Sequence, residues 1–171
     1  YLVQPLLDGV DLGAVVTKHG RLRPREALDL LVPIMAALIA IHRVGVVHRD
    51  VKPDNILLVR DPQRGVRPVL LDFGIAKLLD GDPSLRTATG TLLGTPLYMA
   101  PEQCRGDSSV DGRADVYSCG VMLWELLAWH ALPQKGDPIE RWRRAANPAW
   151  EPPSKNNQSV PRDVDELVLK A

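Results

Sequence analysis

Between His48 and Asp72 the chain sets out the side chains most able to do chemistry. His48, Arg49, Asp50, Lys52 and Asn55 fall within eight residues, and Asp72 follows seventeen residues after Asn55. Two acids and an asparagine near strand ends supply hard oxygen donors, the ligand type that Mg²⁺ prefers. The first string reads His48-Arg-Asp-Val-Lys-Pro-Asp-Asn55 and the second Asp72-Phe-Gly74. A third, Gly94-Thr-Pro-Leu-Tyr-Met-Ala-Pro-Glu102, comes after the hydroxyl-rich Arg86-Thr-Ala-Thr-Gly-Thr91.

The elements that must position these strings follow from periodicity. Residues 1–4 read as a short strand, followed by a connection around Pro5 and Gly9. From Pro24, suited to a first helical turn, side chains of one face recur at Leu28, Leu31, Val32, Met35, Leu38, Ile39 and His42. That spacing predicts one helix face, ending at Gly45, with Pro33 removing one backbone bond and kinking the helix. Ile56–Val59 and Val69–Leu71 read as short strands beside a polar loop, and residues 75–97 as a long polar loop. Asp115–Trp129 is apolar nearly all round, which predicts a helix buried in the core. Residues 130–161 are rich in Pro and Asn around a short charged helix, Pro138–Ala146. The last residues, Asp165–Ala171, read as an amphipathic helix without a C-cap.

Composition narrows the function classes. A chain of 171 residues, 45% hydrophobic and 25% charged, is of ordinary globular make-up and fits one hydrophobic core. Lys plus Arg (21) balances Asp plus Glu (21), which gives no basic face for nucleic acid or a membrane surface. Cys104 and Cys119 are too few for a disulfide framework or a zinc site, and both are expected to be small buried hydrophobes. The opening residues lack a basic leader and no apolar run is long enough to span a bilayer, so a soluble, cytoplasmic region is expected.

Taken together and in order, the three strings closely resemble the catalytic loop, magnesium motif and activation-segment end of protein kinases. The chain is thereby similar to the Ser/Thr protein kinase catalytic domain, in particular to bacterial eukaryotic-like kinases. The resemblance implies an α+β, protein-kinase-like fold: a mainly α-helical C-lobe with short β-strands around the catalytic and magnesium loops. It implies that residues 1–171 are the hinge and C-lobe, with the N-lobe and the final helix absent. Asp50 would accept the proton of the substrate hydroxyl, Lys52 would touch the γ-phosphate, and Asn55 and Asp72 would hold Mg²⁺ on ATP. At the opening, Gln4 would be the gatekeeper, Leu7 would offer backbone groups to adenine, Asp11 would meet the ribose and Leu57 would pack beneath the base. Pro5 stands where an acid is common, but that position works through its carbonyl, which proline retains. His48 and Phe73 would stack behind the site, and Asp115 would anchor the catalytic loop. Glu102 would be an acid whose Arg partner lies beyond Ala171, a buried unpaired charge that would leave the fragment less stable than its parent.

Substrate class follows from the same resemblance. Lys52 after Asp50, and Thr95 before Pro96, match Ser/Thr kinases, where that threonine bonds the catalytic Asp and Lys. Arg49 before the catalytic Asp matches kinases switched on by activation-loop phosphorylation; Thr87, Thr89 and Thr91 are the candidate phosphosites and Arg49 their phosphate partner. Protein substrates with Ser/Thr acceptors, and a transient homodimer for phosphorylation in trans, are the implied partners. No glycine-rich loop, strand Lys or helix Glu stands among the 171 residues, so the chain alone is expected to be inactive. Two other readings stay open: a non-catalytic pseudokinase scaffold, which a missing upstream Lys would favour, and a small-molecule phosphotransferase, which the Ala100-Pro-Glu102 segment disfavours.

Overall fold

Asp11 does two jobs in the backbone. It closes a three-residue strand, β1 (Gly9–Asp11), and its carboxyl receives the Ala14 N–H at 2.7 Å to cap α1 (Leu12–His19). In a computed structural model the chain is described over residues 5–63, 65–72, 96–107, 109–128 and 149–171. Pro24 starts α2 (Pro24–His42), where the Arg23 N–H donates to the Glu26 carboxyl at 2.9 Å. α2 runs through Pro33, whose nitrogen has no hydrogen for the preceding turn, and stops at His42. The turn that follows passes through Gly45, at φ 77, a left-handed conformation that suits glycine.

β2 (Ile56–Asp61) and β3 (Gly65–Leu70) form an antiparallel hairpin with Ile56 opposite Leu70 and Asp61 opposite Gly65. β1 joins the other edge of β2, with Asp11 opposite Leu57, giving the order β1-β2-β3. Two short elements lead into the next part: a 3₁₀ turn at Pro96–Tyr98, then the helix α3 (Pro101–Arg105), which ends on left-handed Gly106. α4 (Arg113–Ala128) follows, and α5 (Arg162–Lys170) closes the chain after a 3₁₀ turn at Pro153–Lys155. The described residues thus hold five α-helices and one small sheet, a mainly helical α+β arrangement.

The core is built around α4. Met122, Leu126 and Leu127 are fully buried, and even its polar Asp115, Ser118 and Glu125 are withdrawn from water. A helix apolar on all sides is stable only where neighbours cover every face. α2 supplies one neighbour through Ala27, Leu31, Ile34 and Leu38, a stripe at helical spacing. This corrects the predicted face: Val32, Met35 and Ile39 are exposed, because the helix turns Ala27 and Ile34 towards α4 instead. The end of α4 is closed by distant chain. The Leu22 N–H donates to the Leu126 carbonyl at 2.8 Å, and the Asn157 amide to the Leu127 carbonyl at 2.8 Å. Helix ends otherwise leave such carbonyls unpaired. Trp124 donates its indole N–H to the Glu151 carbonyl at 2.7 Å and lies against Trp150, ring centres 5.4 Å apart.

Other boundaries also differ from expectation. α4 begins at Arg113, two residues before the predicted start, and β2 and β3 are each longer because pairing extends both strands to a tight turn. α1 is not expected from the sequence, since its eight residues carry only two buried apolar side chains, Leu12 and Val16. The predicted strand at 1–4, the bulk of the loop at 75–97 and the helix Pro138–Ala146 lie outside the described residues.

Both thiols are buried, and burial pushes Cys104 up to about 11 and Cys119 up to about 12. The folded state holds these protons more tightly than the unfolded chain does. Their contribution is therefore fully kept below the ordinary thiol value of 9.0 and is lost as pH climbs through about 11 for Cys104 and about 12 for Cys119. We expect a thiol-specific chromophoric reagent to leave both cysteines unlabelled at pH 8 in the native protein, and to label two per chain in denaturant. Rapid native labelling of Cys119 at pH 8 would contradict this burial.

Candidate active site

A catalytic-type loop must hold polar side chains in water while its own backbone runs against the core. Here the backbone problem is met by Asp115, fully buried in the first turn of α4. Its Oδ2 accepts the His48 N–H at 2.9 Å and its Oδ1 the Arg49 N–H at 2.8 Å. His42, at the end of α2, adds its Nε2 at 2.7 Å from Oδ2. Three donors on one buried carboxyl meet the desolvation cost that an unpartnered acid would carry. Gly112 makes room for this arrangement, since a Cβ there would lie 2.8 Å from the His42 ring.

His48 is itself fully buried and ties the loop to the sheet. Its Nδ1 accepts the Asp50 N–H at 3.3 Å, which leaves Nε2–H to donate to the Leu71 carbonyl at 3.0 Å. The Leu71 N–H donates to the Asn55 carbonyl at 2.8 Å. Leu71 is therefore held from both sides, and Asp72 leaves the sheet beside the loop that carries Asn55. Asp72 is exposed and adopts φ 49; Arg49 adopts φ 64. For residues with a Cβ the left-handed region costs about 1–2 kcal/mol each. Among the described residues these are the two non-glycine positions with positive φ, and both lie in the strings singled out by sequence.

The polar side chains converge on Asp50. Lys52 Nζ stands 3.2 Å from Asp50 Oδ2, with both side chains about a fifth exposed. The Asn55 amide donates to the same Oδ2 at 3.0 Å and to the Asp50 carbonyl at 2.8 Å. Both neighbours of the Asn55 nitrogen are acceptors, so its NH₂ must face them and its Oδ1 is left to face a cation. Asn55 Oδ1 and the Asp72 carboxyl are hard donors, and Mg²⁺ is commonly held by one or two such groups together with phosphates and water. The donor chemistry fits that ion.

Beyond this centre the structure distributes the other predicted residues more widely. Leu57 lies in β2 opposite Asp11, half-buried, while Leu7 precedes β1 and is also half-buried. Asp11 spends its Oδ1 on the α1 cap. Glu102 stands in the first turn of α3 and is half-buried rather than buried, with no ion pair among the described residues; an acid there also suits the helix N-terminus. Arg49 is half-buried, and its Nε lacks a hydrogen-bond partner among the described residues. Gln4, Phe73, Thr87, Thr89, Thr91 and Thr95 lie outside the described residues.

Four hydrogen bonds escaped the sequence reading. Tyr98 donates its hydroxyl to the Glu125 carboxyl at 2.5 Å, and the Ser118 hydroxyl sits 2.7 Å from the Tyr98 carbonyl, fixing the 3₁₀ turn on α4. Burial, and then the negative charge of Glu125, hold the Tyr98 phenol far above its ordinary range. Gln103 bridges outward from α3: its amide donates to the Arg49 carbonyl at 2.9 Å while its Oε1 accepts the Ala100 N–H at 3.0 Å. The buried Glu125 within an apolar helix is the one signal that could have pointed to such a partner.

Comparison with known proteins gives these positions a family. The profile for the protein kinase domain matches residues 1–170. Over 172 residues the chain is 37% identical to the serine/threonine-protein kinase PknB of Mycobacterium tuberculosis, covering all of this chain and 26% of that protein. It is 36% identical to a probable serine/threonine-protein kinase, SCO3848, of Streptomyces coelicolor, of which it covers 25%. A probable serine/threonine-protein kinase of Corynebacterium efficiens, CE0033, is 40% identical over 175 residues, with 26% covered. The chain spans about a quarter of the length of these curated relatives. With its ordered strings, its mainly helical α+β build and a match along nearly its whole length, the chain belongs to the protein kinase domain family.

Proposed function

We propose that the 171 residues are the hinge and C-lobe of a Ser/Thr protein kinase domain, which moves the γ-phosphate of ATP to Ser/Thr hydroxyls of protein substrates. The observation that carries this reading is the convergence of Lys52 Nζ and the Asn55 amide on one oxygen of Asp50, which leaves Asn55 Oδ1 as a metal-type donor. Asp50 orients the substrate hydroxyl and accepts its proton, assistance worth roughly 10²–10⁴ in rate. The Lys52 ammonium, held 3.2 Å from Asp50, is proposed to balance negative charge on the transferred group. Mg²⁺ held by Asn55 and Asp72 supplies charge neutralisation on the phosphates when bound. Leu7, Asp11 and Leu57 are the proposed contacts of the nucleoside, and Thr95 a further partner of Asp50 and Lys52.

Regulation is proposed to run through Arg49. A guanidinium nitrogen that is buried and unpartnered among the described residues is costly, and a phosphate is a strong bidentate acceptor for Arg. Thr87, Thr89 and Thr91 are the proposed phosphate carriers, modified in trans within a transient homodimer. Among the described residues no helix is long and apolar enough to cross a membrane. A cytoplasmic location, where ATP is available as the donor, is part of this proposal.

Two measurements test the reading on the full-length protein that carries this chain. Incubation with Mg²⁺ and ATP, followed by mass spectrometry, should find phosphate on Thr87 or Thr89 in the parent, and Asp50→Asn should lower the rate by about 10²–10⁴-fold. Phosphate in neither, with a generic Ser/Thr substrate also untouched, would favour a non-catalytic scaffold. Phosphatase treatment should slow the parent towards a substrate peptide yet leave Arg49→Met unchanged. An Arg49→Met protein that still responds to phosphatase would remove Arg49 from this role.

A further inference from the structure

The peptide units on either side of Arg49 are gripped from two different parts of the fold. Its N–H is taken by Asp115 in α4, and its carbonyl by the Gln103 amide in α3. Arg49 is left-handed at φ 64, a conformation that a non-glycine residue keeps only where its surroundings over-determine it. The next residue is Asp50, so the orientation of the Arg49–Asp50 peptide sets the direction in which the Asp50 side chain leaves the chain. Asp115 fixes the Arg49 N–H; the Arg49–Asp50 peptide is held at its own N–H by a long 3.3 Å bond to His48 Nδ1 and at its carbonyl by the shorter 2.9 Å bond from Gln103. Gln103 is anchored for this purpose, because its Oε1 is occupied by the Ala100 N–H and its NH₂ is thereby turned towards Arg49.

We propose that Gln103 is a positioning residue for Asp50, coupling the helix that follows Ala100 to the catalytic loop through the Arg49 carbonyl. The proposal rests on the reading of Asp50 as the base that meets the substrate hydroxyl. Displacement of the first turn of the short helix α3 would withdraw the donor that helps hold the loop in its left-handed turn.

Two substitutions separate this role from ordinary helix capping. Gln103→Glu keeps the acceptor for Ala100 N–H but sets a carboxylate oxygen against the Arg49 carbonyl, whereas Gln103→Met removes both bonds at similar volume. Arg105→Met serves as the control, since Arg105 lies on the same helix, is more than half exposed and pairs only with Asp107 among the described residues. On the full-length protein, kcat and KM towards a Ser/Thr peptide would be measured beside an Asp50→Asn reference, and hydrogen–deuterium exchange followed over residues 48–52. Both Gln103 variants should lose about tenfold in kcat, with KM for ATP within about twofold of the parent, as expected for a misaligned reacting group. Exchange over 48–52 should quicken in both, while Arg105→Met should match the parent in every readout.

A Gln103→Glu protein with parental kcat and parental exchange would overturn the proposal and leave Gln103 as a cap of α3. Should the parent prove no faster than Asp50→Asn, the reading of Asp50 fails instead. The exchange result then decides by itself whether Gln103 holds the loop.

Discussion

A carboxyl group taken out of water must be surrounded by donors, and Asp115 is surrounded by three: the backbone N–H groups of His48 and Arg49 and the ring of His42. Leaving any one of those donors unmatched in the interior would cost about 1–3 kcal/mol, so acid and loop stabilise each other or neither is stable in place. Through this group the loop inherits the rigidity of α4, the best-buried element among those described. Truncating the carboxyl would release His48 and Arg49 together, and with them the Leu71 carbonyl that His48 holds. The polar centre is thus fixed from behind by the core rather than by its own side chains.

Backbone strain is concentrated at the same place. Arg49 and Asp72 both sit in the left-handed region, the one immediately before Asp50 and the other at the residue that follows the Leu71 held by His48 and Asn55. Left-handed turns bring side chains out of a loop at angles that a strand or helix cannot offer. The cost is offset by hydrogen bonds at adjacent peptide groups: those of Arg49 to Asp115 and Gln103, and those of Leu71 to His48 and Asn55. Strained residues held by fully partnered neighbours are a recurrent property of sites that must be ready before a ligand arrives.

What the sequence discloses is what depends on near neighbours. The all-apolar run from Asp115 and the Pro24 helix start are local patterns, and both helices are present near the expected bounds. The family is legible because three ordered strings carry it. Which face of α2 is buried is not legible, since Val32, Met35 and Ile39 are as apolar as the stripe actually used, and the position of α4 decides between them. α1 escapes because its capping acid, Asp11, looks like a loop charge until β1 pairs with β2. Gln103 and Tyr98 escape for a different reason. Their partners, Arg49 and Glu125, are far along the chain, and an amide or a phenol carries no periodic signal.

The C-terminal end of α4 has a consequence for how the chain comes to be made. Its last carbonyls accept hydrogen bonds from the Leu22 N–H, more than a hundred residues earlier, and from the Asn157 amide, thirty residues later. Contacts so far apart are slow to form, because the intervening loop must close before they stabilise anything. On a ribosome releasing residues from the N-terminus onwards, α4 can emerge and coil while the carbonyl of Leu127 still faces water. Only when residue 157 has left the exit tunnel does the helix that bears Asp115 reach its final set of bonds. The segment that would carry out chemistry is therefore complete in sequence long before it is complete in structure, and a nascent chain interrupted between the two points would present the motif on an unfinished core.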